Sequence, residues 1–178
     1  MNLKGALVKL RKLEQRDIPG ILSWMRDENV NRFFRFDGNT VTQESVAEFV
    51  RQAQDETRHV HRAVVDENDT YLGTVSLKNI DREAKHAEYA ISMCTRAHGT
   101  GAAQFATKQI LCYAFEELGL NRVYLNVLSE NVRANRFYQK FGFVYEGEFK
   151  QHLYIRGRLM DLKWYRMLRQ EYQNQLQR

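Results

Sequence analysis

The sequence predicts a single α+β domain spanning residues 1–178, with a mixed, mostly antiparallel sheet of six to seven strands flanked by about four helices. Three observations lead to this fold class. A length of 178 residues suits one domain with a sizeable buried core. Runs with strand-like alternation stand beside runs with helical periodicity. No linker rich in proline and glycine, and no internal repeat, divides the chain.

The first half of the chain predicts one strand, then two helices, then three consecutive strands. Residues 6–13 end in an apolar and basic alternation that is typical of a half-buried strand. Asp17 is expected to be the N-cap of a helix with Pro19 in its first turn, and Thr42 to open a second helix. The runs 59–66, 71–79 and 86–94 are separated by short polar turns, so we expect an antiparallel meander.

The second half begins with the longest helical stripe, residues 101–118, and Gly119 is placed to end it. Residues 123–127 alternate as a strand and residues 131–141 predict another helix. The runs 143–154 and 159–168 predict a final hairpin that turns at 155–158. The polar tail from Arg169 is expected to be a solvated helix or to be frayed.

Charge and cysteine content narrow the class of protein. There are 27 Lys and Arg against 22 Asp and Glu, so the formal charge is +5. This mild excess fits a phosphate-bearing partner: a nucleotide-bearing small molecule, RNA or a membrane surface. The two cysteines lack a Cys-x-x-Cys spacing, and neither a signal peptide nor a membrane-spanning run is found. We therefore expect a cytoplasmic protein without disulfides and without a membrane partner.

Residues 91–103 are the most informative segment, because a strand ends there, a loop with Gly99 and Gly101 follows, and the long helix begins. Backbone N–H groups in such a loop can converge on an anion, and the helix N-terminus adds positive potential. Glycine lets a phosphate approach the backbone closely. The guanidinium of Arg96 supplies paired N–H donors at the rim of this loop.

Two common phosphate-binding motifs do not fit this loop. A P-loop requires Lys followed by Ser or Thr after its glycines, whereas Gly101 is followed by two alanines. The dinucleotide fingerprint requires a third small residue, and that position is Gln104. It also requires a βαβ unit, whereas the preceding strands predict a meander. A purely structural helix start remains an alternative for the isolated Gly-x-Gly.

The loop resembles the pyrophosphate loop of the GNAT acetyltransferases, Gln/Arg-x-x-Gly-x-Gly/Ala, which 96–101 matches as Arg-Ala-His-Gly-Thr-Gly. Downstream, 125–127 and 129–143 are similar to that family's second motif, with its Asn, Ala, Tyr and Gly-Phe. Element order agrees with the family over residues 8–168. The chain is therefore similar to a GNAT N-acetyltransferase.

This resemblance implies that acetyl-coenzyme A (acetyl-CoA) lies in an opening between two splayed strands, those ending near Cys94 and Leu128. Some of the implied contacts are backbone groups for the pantetheine arm, and others belong to the pyrophosphate loop or to the following helix. The implied cofactor-binding residues are Ile91, Met93, Arg96, His98, Gly99, Thr100, Gly101, Ala102, Asn131 and Ala134.

The resemblance also implies that Tyr138 lies near the thioester sulfur. A phenol with a pKa of about 10 stays protonated at neutral pH and can donate to a departing thiolate, whose own pKa is about 8.5. Glu88, at the start of the strand that leads to the loop, is the candidate general base, acting through water. The alternatives are a core aromatic for Tyr138 and a solvated or paired carboxylate for Glu88.

The aromatic and basic cluster 31–36 precedes the second helix. It could be a stacking platform for nucleic acid. Its position in the family suggests instead a lid over the acceptor, where Arg32, Phe33 and Arg35 would bind an apolar body and an anionic group. Because the basic residues elsewhere do not form a run, a nucleic-acid partner is not expected.

The acceptor is expected to be a primary amine of a small molecule or a peptide. Segments 23–30 and 72–75 are similar to bacterial aminosugar acetyltransferases that act on nucleotide-linked sugars, and we prefer that acceptor. The last hairpin, with Gly157 and Asp161, is equally similar to ribosomal-protein N-terminal and spermidine acetyltransferases, which remain alternatives. Outside the enzymes, a noncatalytic coenzyme A-binding module is the other option. A homodimer is left open.

Two further residue pairs could carry chemistry. His59 and His61 alternate on one strand face, but no further ligands stand at matching spacing, so no metal is expected. Cys94 near His98 could suggest an acyl-enzyme nucleophile. A small buried thiol at a strand end is preferred, because His98 belongs to the phosphate loop.

Overall fold

The computed structural model describes residues 8–177, and seven strands in this range form one sheet. The strands are β1 Lys9–Lys12, β2 Val60–Val65, β3 Tyr71–Asp81, β4 His86–Met93, β5 Arg122–Leu128, β6 Val144–Ile155 and β7 Arg158–Leu168. Their spatial order is β1-β2-β3-β4-β5-β7-β6, and only the β4–β5 pair is parallel. The predicted mixed, mostly antiparallel sheet is confirmed.

The α-helices of the described chain number six rather than the expected four. They are α1 Ile18–Arg26, α2 Glu28–Asn31, α3 Gln43–Gln52, α4 Ala102–Cys112, α5 Val132–Phe141 and α6 Arg169–Leu176. The single-turn α2 carries too little periodicity to be predicted. The tail forms α6 because Tyr172 is buried and packs on Phe115, with ring centroids 4.9 Å apart.

The helices cover both faces of the sheet. The core under α4 and α5 contains Ile110, Tyr89 and Tyr138, whereas the core under α1 and α3 contains Ile21 and Val46. Successive side chains of a strand point to opposite faces. Tyr89 in β4 lies on the α4–α5 face, so its neighbour Glu88 lies on the other face.

Both predicted N-cap residues stand at the start of their helices, but only one of them caps its helix with its side chain. The Oγ1 of Thr42 accepts from the Ser45 N–H at 3.1 Å, so Thr42 caps α3 as predicted. Asp17 is the N-cap residue of α1, as predicted, but its side chain makes no capping hydrogen bond to that helix. Its buried carboxylate instead accepts two hydrogen bonds from Arg11, at 2.7 and 2.8 Å. A buried charge requires such a partner.

The chain turns where glycines predicted that it would. The predicted helix 101–118 comprises α4 and a wider π-helical turn, Tyr113–Glu117, and Gly119 ends it with a φ of +64°. Arg156 and Gly157 have φ of +48° and +77° and form the tip of the last hairpin. Of the predicted first strand, Ala6 and Leu7 lie outside the described residues, and β1 comprises Lys9–Lys12, so Val8 and Leu13 flank the strand.

Candidate active site

The sheet opens between β4 and β5. Their parallel register ends at Glu88 and Tyr124, whereas β4 continues to Met93 and β5 to Leu128. Ile91 and Met93 pair with β3 on one side of β4. On the other side, which faces β5, they have no strand partner among residues 8–177. This gap, hereafter the strand opening, agrees with the expected splay and leaves a strand edge that can bind an extended ligand.

The glycine loop lies at the end of β4. Gly99 and Gly101 have φ of +76° and +92°, a conformation that favours glycine. Their N–H groups have no acceptor within the described chain. The Oγ1 of Thr100 accepts from the Ala102 N–H at 3.2 Å, at the first turn of α4. Two unpaired N–H groups beside a helix N-terminus are donors that suit a phosphate.

Arg96 and His98 make contacts that the sequence did not predict. The guanidinium of Arg96 is exposed and donates to the Tyr71 carbonyl, so one of its nitrogens holds the loop against β3. His98 lies 2.7 Å from Arg133 of α5, between Nδ1 and a guanidinium nitrogen. Burial and the Arg133 charge lower the pKa of His98. The His98–Arg133 contact joins the glycine loop to α5.

The first turn of α5 is fixed by two asparagines. The Oδ1 of Asn131 accepts from the Ala134 N–H at 3.2 Å and caps the helix. Asn135 is buried, donates to the Leu128 carbonyl at 3.1 Å, and accepts from the Tyr165 hydroxyl at 2.8 Å. Sequence reasoning missed Asn135 and Tyr165. One signal was available: Asn135 lies one turn after Asn131, on a helix face that must pack against the sheet, where a polar side chain requires a hydrogen-bond partner.

Tyr138 lies in an aromatic cluster on the α4–α5 face. Its ring packs on Phe137, Phe143 and Tyr89, with centroids 5.5 to 6.1 Å apart. Burial raises the pKa of Tyr138 well above its usual value, so the phenol is protonated at neutral pH. Its hydroxyl has no hydrogen-bond partner within residues 8–177. The ring is therefore structural, while its donor is uncommitted.

Glu88 lies where β4 and β5 separate, on the face opposite Tyr138. Its carboxylate accepts from Lys78 Nζ at 2.9 Å, from Asn79 Nδ2 at 3.1 Å and from Asn126 Nδ2 at 3.4 Å. The structure thus agrees with the alternative of a paired carboxylate, one located at the strand opening. Because Asn126 belongs to β5, these contacts span both splayed strands.

The expected acceptor residues divide between two neighbouring cavities. Arg32 and Arg35 line one of about 560 Å³, and Arg32 and Phe33 line a second of about 440 Å³. The Arg32 guanidinium lies 4.7 Å from the centre of the Phe33 ring. Arg156, from the β6–β7 tip, lines both cavities and donates to Asn31. Sequence reasoning missed Arg156, which is 125 residues from Asn31.

The comparisons with known proteins decide the family. Residues 8–144 match the acetyltransferase (GNAT) domain. The chain belongs to the GNAT acetyltransferase family. It is 29% identical over 171 residues to spermidine N(1)-acetyltransferase of Vibrio cholerae, covering 93% of this chain and 95% of the relative. It is 31% identical to the Escherichia coli enzyme of the same name, covering 84% and 80%.

A solved structure shows the same GNAT fold. The crystal structure of the Vibrio cholerae enzyme in complex with CoA and spermine superposes with a TM-score of 0.85 at 27% identity, covering 94% of this chain and 98% of that one. The chain is an acetyl-CoA-dependent N-acetyltransferase. Our expected family is therefore confirmed. Its aminosugar branch is not supported, since these relatives are named for spermidine.

The remaining alternatives find little support in this GNAT chain. The His61 Nδ1 lies 2.7 Å from the Ser76 Oγ, and residues 8–177 hold no group of three His, Cys, Asp or Glu side chains suited to a metal. The Cys94 thiol is buried and directed at the Gly20 carbonyl, 3.9 Å away, while His98 contacts Arg133. No helix in the described range is long and apolar enough to span a bilayer.

Proposed function

We propose that the chain acetylates a primary amine of a small molecule by direct transfer, with the donor held in the strand opening. One observation carries the proposal: the β4–β5 ladder stops at Glu88 and Tyr124, and the glycine loop stands at the far end of the opened β4. Acetyl-CoA supplies an acyl thioester and a pyrophosphate. The unpaired N–H groups of Gly99 and Gly101 fit the pyrophosphate.

The two faces of the opening suggest a division of roles. Glu88 faces one side and would take a proton from the bound ammonium, directly or through water, so that the neutral amine can attack the thioester carbonyl. Tyr138 lies on the other side and would donate its proton to the departing thiolate, because its phenol is protonated and its hydroxyl is uncommitted. The second proton that the nitrogen loses, after the C–S bond breaks, would restore the phenol of Tyr138. Backbone N–H groups on the free edge of β4 would stabilise the oxyanion.

A polyamine is the first acceptor candidate. The support comes from two spermidine N(1)-acetyltransferases that align over most of the chain and from the crystal structure of the Vibrio cholerae enzyme in complex with CoA and spermine. Those names describe the relatives. For this chain, the proposal requires that the cationic acceptor reach Glu88 without passing close to the arginines at α2.

An amine that carries an anionic group, such as a nucleotide-linked aminosugar, is the second candidate. The observation in its favour is that Arg26, Arg32, Arg35 and Arg156 all line the 560 Å³ cavity. Guanidinium groups bind phosphates and repel polyamines.

An acceptor panel tests both candidates. Purified protein with acetyl-CoA is offered spermidine, a nucleotide-linked aminosugar or a short peptide with a free N-terminus, and CoA thiol release is followed with mass spectrometry of the product. We expect kcat/KM for one of the two small molecules to exceed the value for the peptide by about tenfold or more. Preferential acetylation of the peptide would overturn the proposal.

A further inference from the structure

We propose that the 560 Å³ cavity between the α1–α2 segment and the β6–β7 tip, hereafter the arginine cavity, binds the phosphate or carboxylate group of an anionic ligand. This goes beyond the proposed acetyl transfer, because it holds whichever amine is the acceptor. Its lining includes Arg26, Asn31, Arg32, Arg35, Asp37 and Arg156.

The lining of the cavity carries a net positive charge, and its arginines form no ion pairs within the described chain. Four arginines line it against two carboxylates, Glu28 and Asp37. Within residues 8–177, no carboxylate lies within 4.0 Å of any of these four guanidinium groups. Asp37 instead accepts from the Asn39 N–H at 2.9 Å and caps a turn. Like charges gathered around one concave surface raise its potential and attract an anion.

The backbone segments that carry these arginines are held together by the buried side-chain amide of Asn31. Asn31 is 4% exposed, its Nδ2 donates to the Met25 carbonyl at 2.9 Å, and its Oδ1 accepts from Arg156 at 3.1 Å. Gly38 packs so closely that an added Cβ would lie 2.2 Å from the Asn31 Nδ2. Arg26 donates to the Val41 carbonyl at 2.9 Å. Two of the arginines are therefore held in place before a ligand arrives, which lowers the entropy cost of binding.

The chemistry of the ligand follows from the donors. A planar guanidinium offers paired N–H groups that match two oxygens of a phosphate or carboxylate. A volume of about 560 Å³ is in the range of small-molecule sites. Such an anion has two sources: it is the anionic part of the amine acceptor itself, or it is a separate effector.

Calorimetry tests the binding without requiring turnover. Inorganic pyrophosphate is titrated into protein saturated with CoA, so that the glycine loop is filled and cannot bind the probe. The variants are Arg35→Gln and the double variant Arg32→Gln with Arg35→Gln. Arg82→Gln is the matched control, because Arg82 is exposed in the β3–β4 turn and its removal changes the net charge equally.

We expect saturable binding by the unmodified chain, a dissociation constant at least about tenfold higher for the Arg35 variant, and a change of less than about twofold for Arg82→Gln. Thermal unfolding and CoA affinity verify that each variant is folded. No saturable binding by the unmodified chain, or equal losses in Arg35→Gln and Arg82→Gln, would overturn the proposal.

Initial rates then separate the two sources. With the best acceptor of the panel, pyrophosphate competes with the amine if the cavity holds the acceptor's own anionic group. A change in kcat without competition identifies a separate effector. If no amine is acetylated, the proposed function fails while the calorimetric result still stands, so the two failures are distinguishable.

Discussion

The Nζ of Lys78 donates to the Oε1 of Glu88 at 2.9 Å, at the position where β4 and β5 stop pairing. Glu88 is the more buried partner, with its side chain 17% exposed against 35% for Lys78. The contact fixes the carboxylate at the strand opening and leaves part of it accessible. A base in this position is oriented by a cation on β3 and by Asn126 on β5, so its direction is set before an amine arrives.

Replacing Glu88 by Gln tests its role as the base. We expect kcat to fall by about 10²-fold to 10⁴-fold, because an amide cannot remove the proton that converts the bound ammonium into the nucleophilic amine. The affinity for CoA, measured by calorimetry, should change by less than about twofold. Glu83→Gln, an exposed change in the β3–β4 turn, is the control. Unchanged kcat in the Glu88 variant would reduce this residue to a structural partner of Lys78.

Tyr138→Phe separates the hydroxyl from the ring. The ring contacts with Phe137, Phe143 and Tyr89 remain, so stability should change by less than about 0.5 kcal/mol. We expect kcat to fall by about 10²-fold, since the departing thiolate loses its proton donor. Stopped-flow measurement of thiol release gives kcat, and Tyr154→Phe, at an exposed position, is the control. A kcat equal to that of the control would favour the core-aromatic alternative.

Tyr165→Phe should lower the stability of the fold, which Tyr138→Phe should leave nearly unchanged. The Tyr165 hydroxyl donates to the buried Oδ1 of Asn135 at 2.8 Å, so its removal leaves that oxygen unpaired. The expected loss is about 1–3 kcal/mol in the free energy of unfolding, measured by urea denaturation. Tyr138→Phe serves as the matched comparison, because its hydroxyl has no such partner in the described chain. Equal stability of the two variants would contradict the network.

The parts of the site that the sequence predicted are those encoded by neighbours in the chain. The glycine loop and the start of α3 each depend on a few adjacent residues, and the structure contains both. Local rules of backbone conformation and periodicity suffice for such features. The splay of β4 and β5, by contrast, was expected only from the family resemblance.

The missed contacts join residues far apart in the chain. Arg156 reaches Asn31 only because β7 inserts between β5 and β6 and carries the hairpin tip to α2. The pairing of Lys78 with Glu88 depends on the β3–β4 register. The sequence placed Asp17 correctly at the N-cap but did not predict that its buried carboxylate binds Arg11 instead of the helix N–H groups. None of these leaves a periodic signal in the sequence.

His61 predicts a dependence of stability on pH. Burial is the main reason that its pKa is lowered from 6.5 to about 4. Below pH 6.5 the unfolded chain binds a proton that the folded chain does not, so stability falls as the pH decreases from 6.5 towards 4. For this one group, the free energy of unfolding should be about 2 kcal/mol lower at pH 5 than at pH 7.

Urea denaturation of the chain and of His61→Gln at the two pH values measures this difference. The amide keeps a hydrogen-bonding group near Ser76, whose Oγ contacts the His61 Nδ1 at 2.7 Å, and it does not titrate. The pH 5 to pH 7 difference should therefore shrink by about 2 kcal/mol in the variant. The same difference in both proteins would show that His61 titrates normally.

Gly101→Ala tests the glycine loop as the site of the pyrophosphate. An added Cβ would meet only the Gln104 Oε1, at 3.9 Å, so space is not limiting, but the φ of +92° strains any L side chain. Relief of that strain rotates the Gly101 N–H, and the dissociation constant for CoA should rise by about tenfold or more. Gly147→Ala is the control, since its φ is not positive and no atom lies near its added Cβ. Equal CoA affinity in the two variants, measured by calorimetry, would mean that the unpaired N–H groups of the loop do not hold the phosphates.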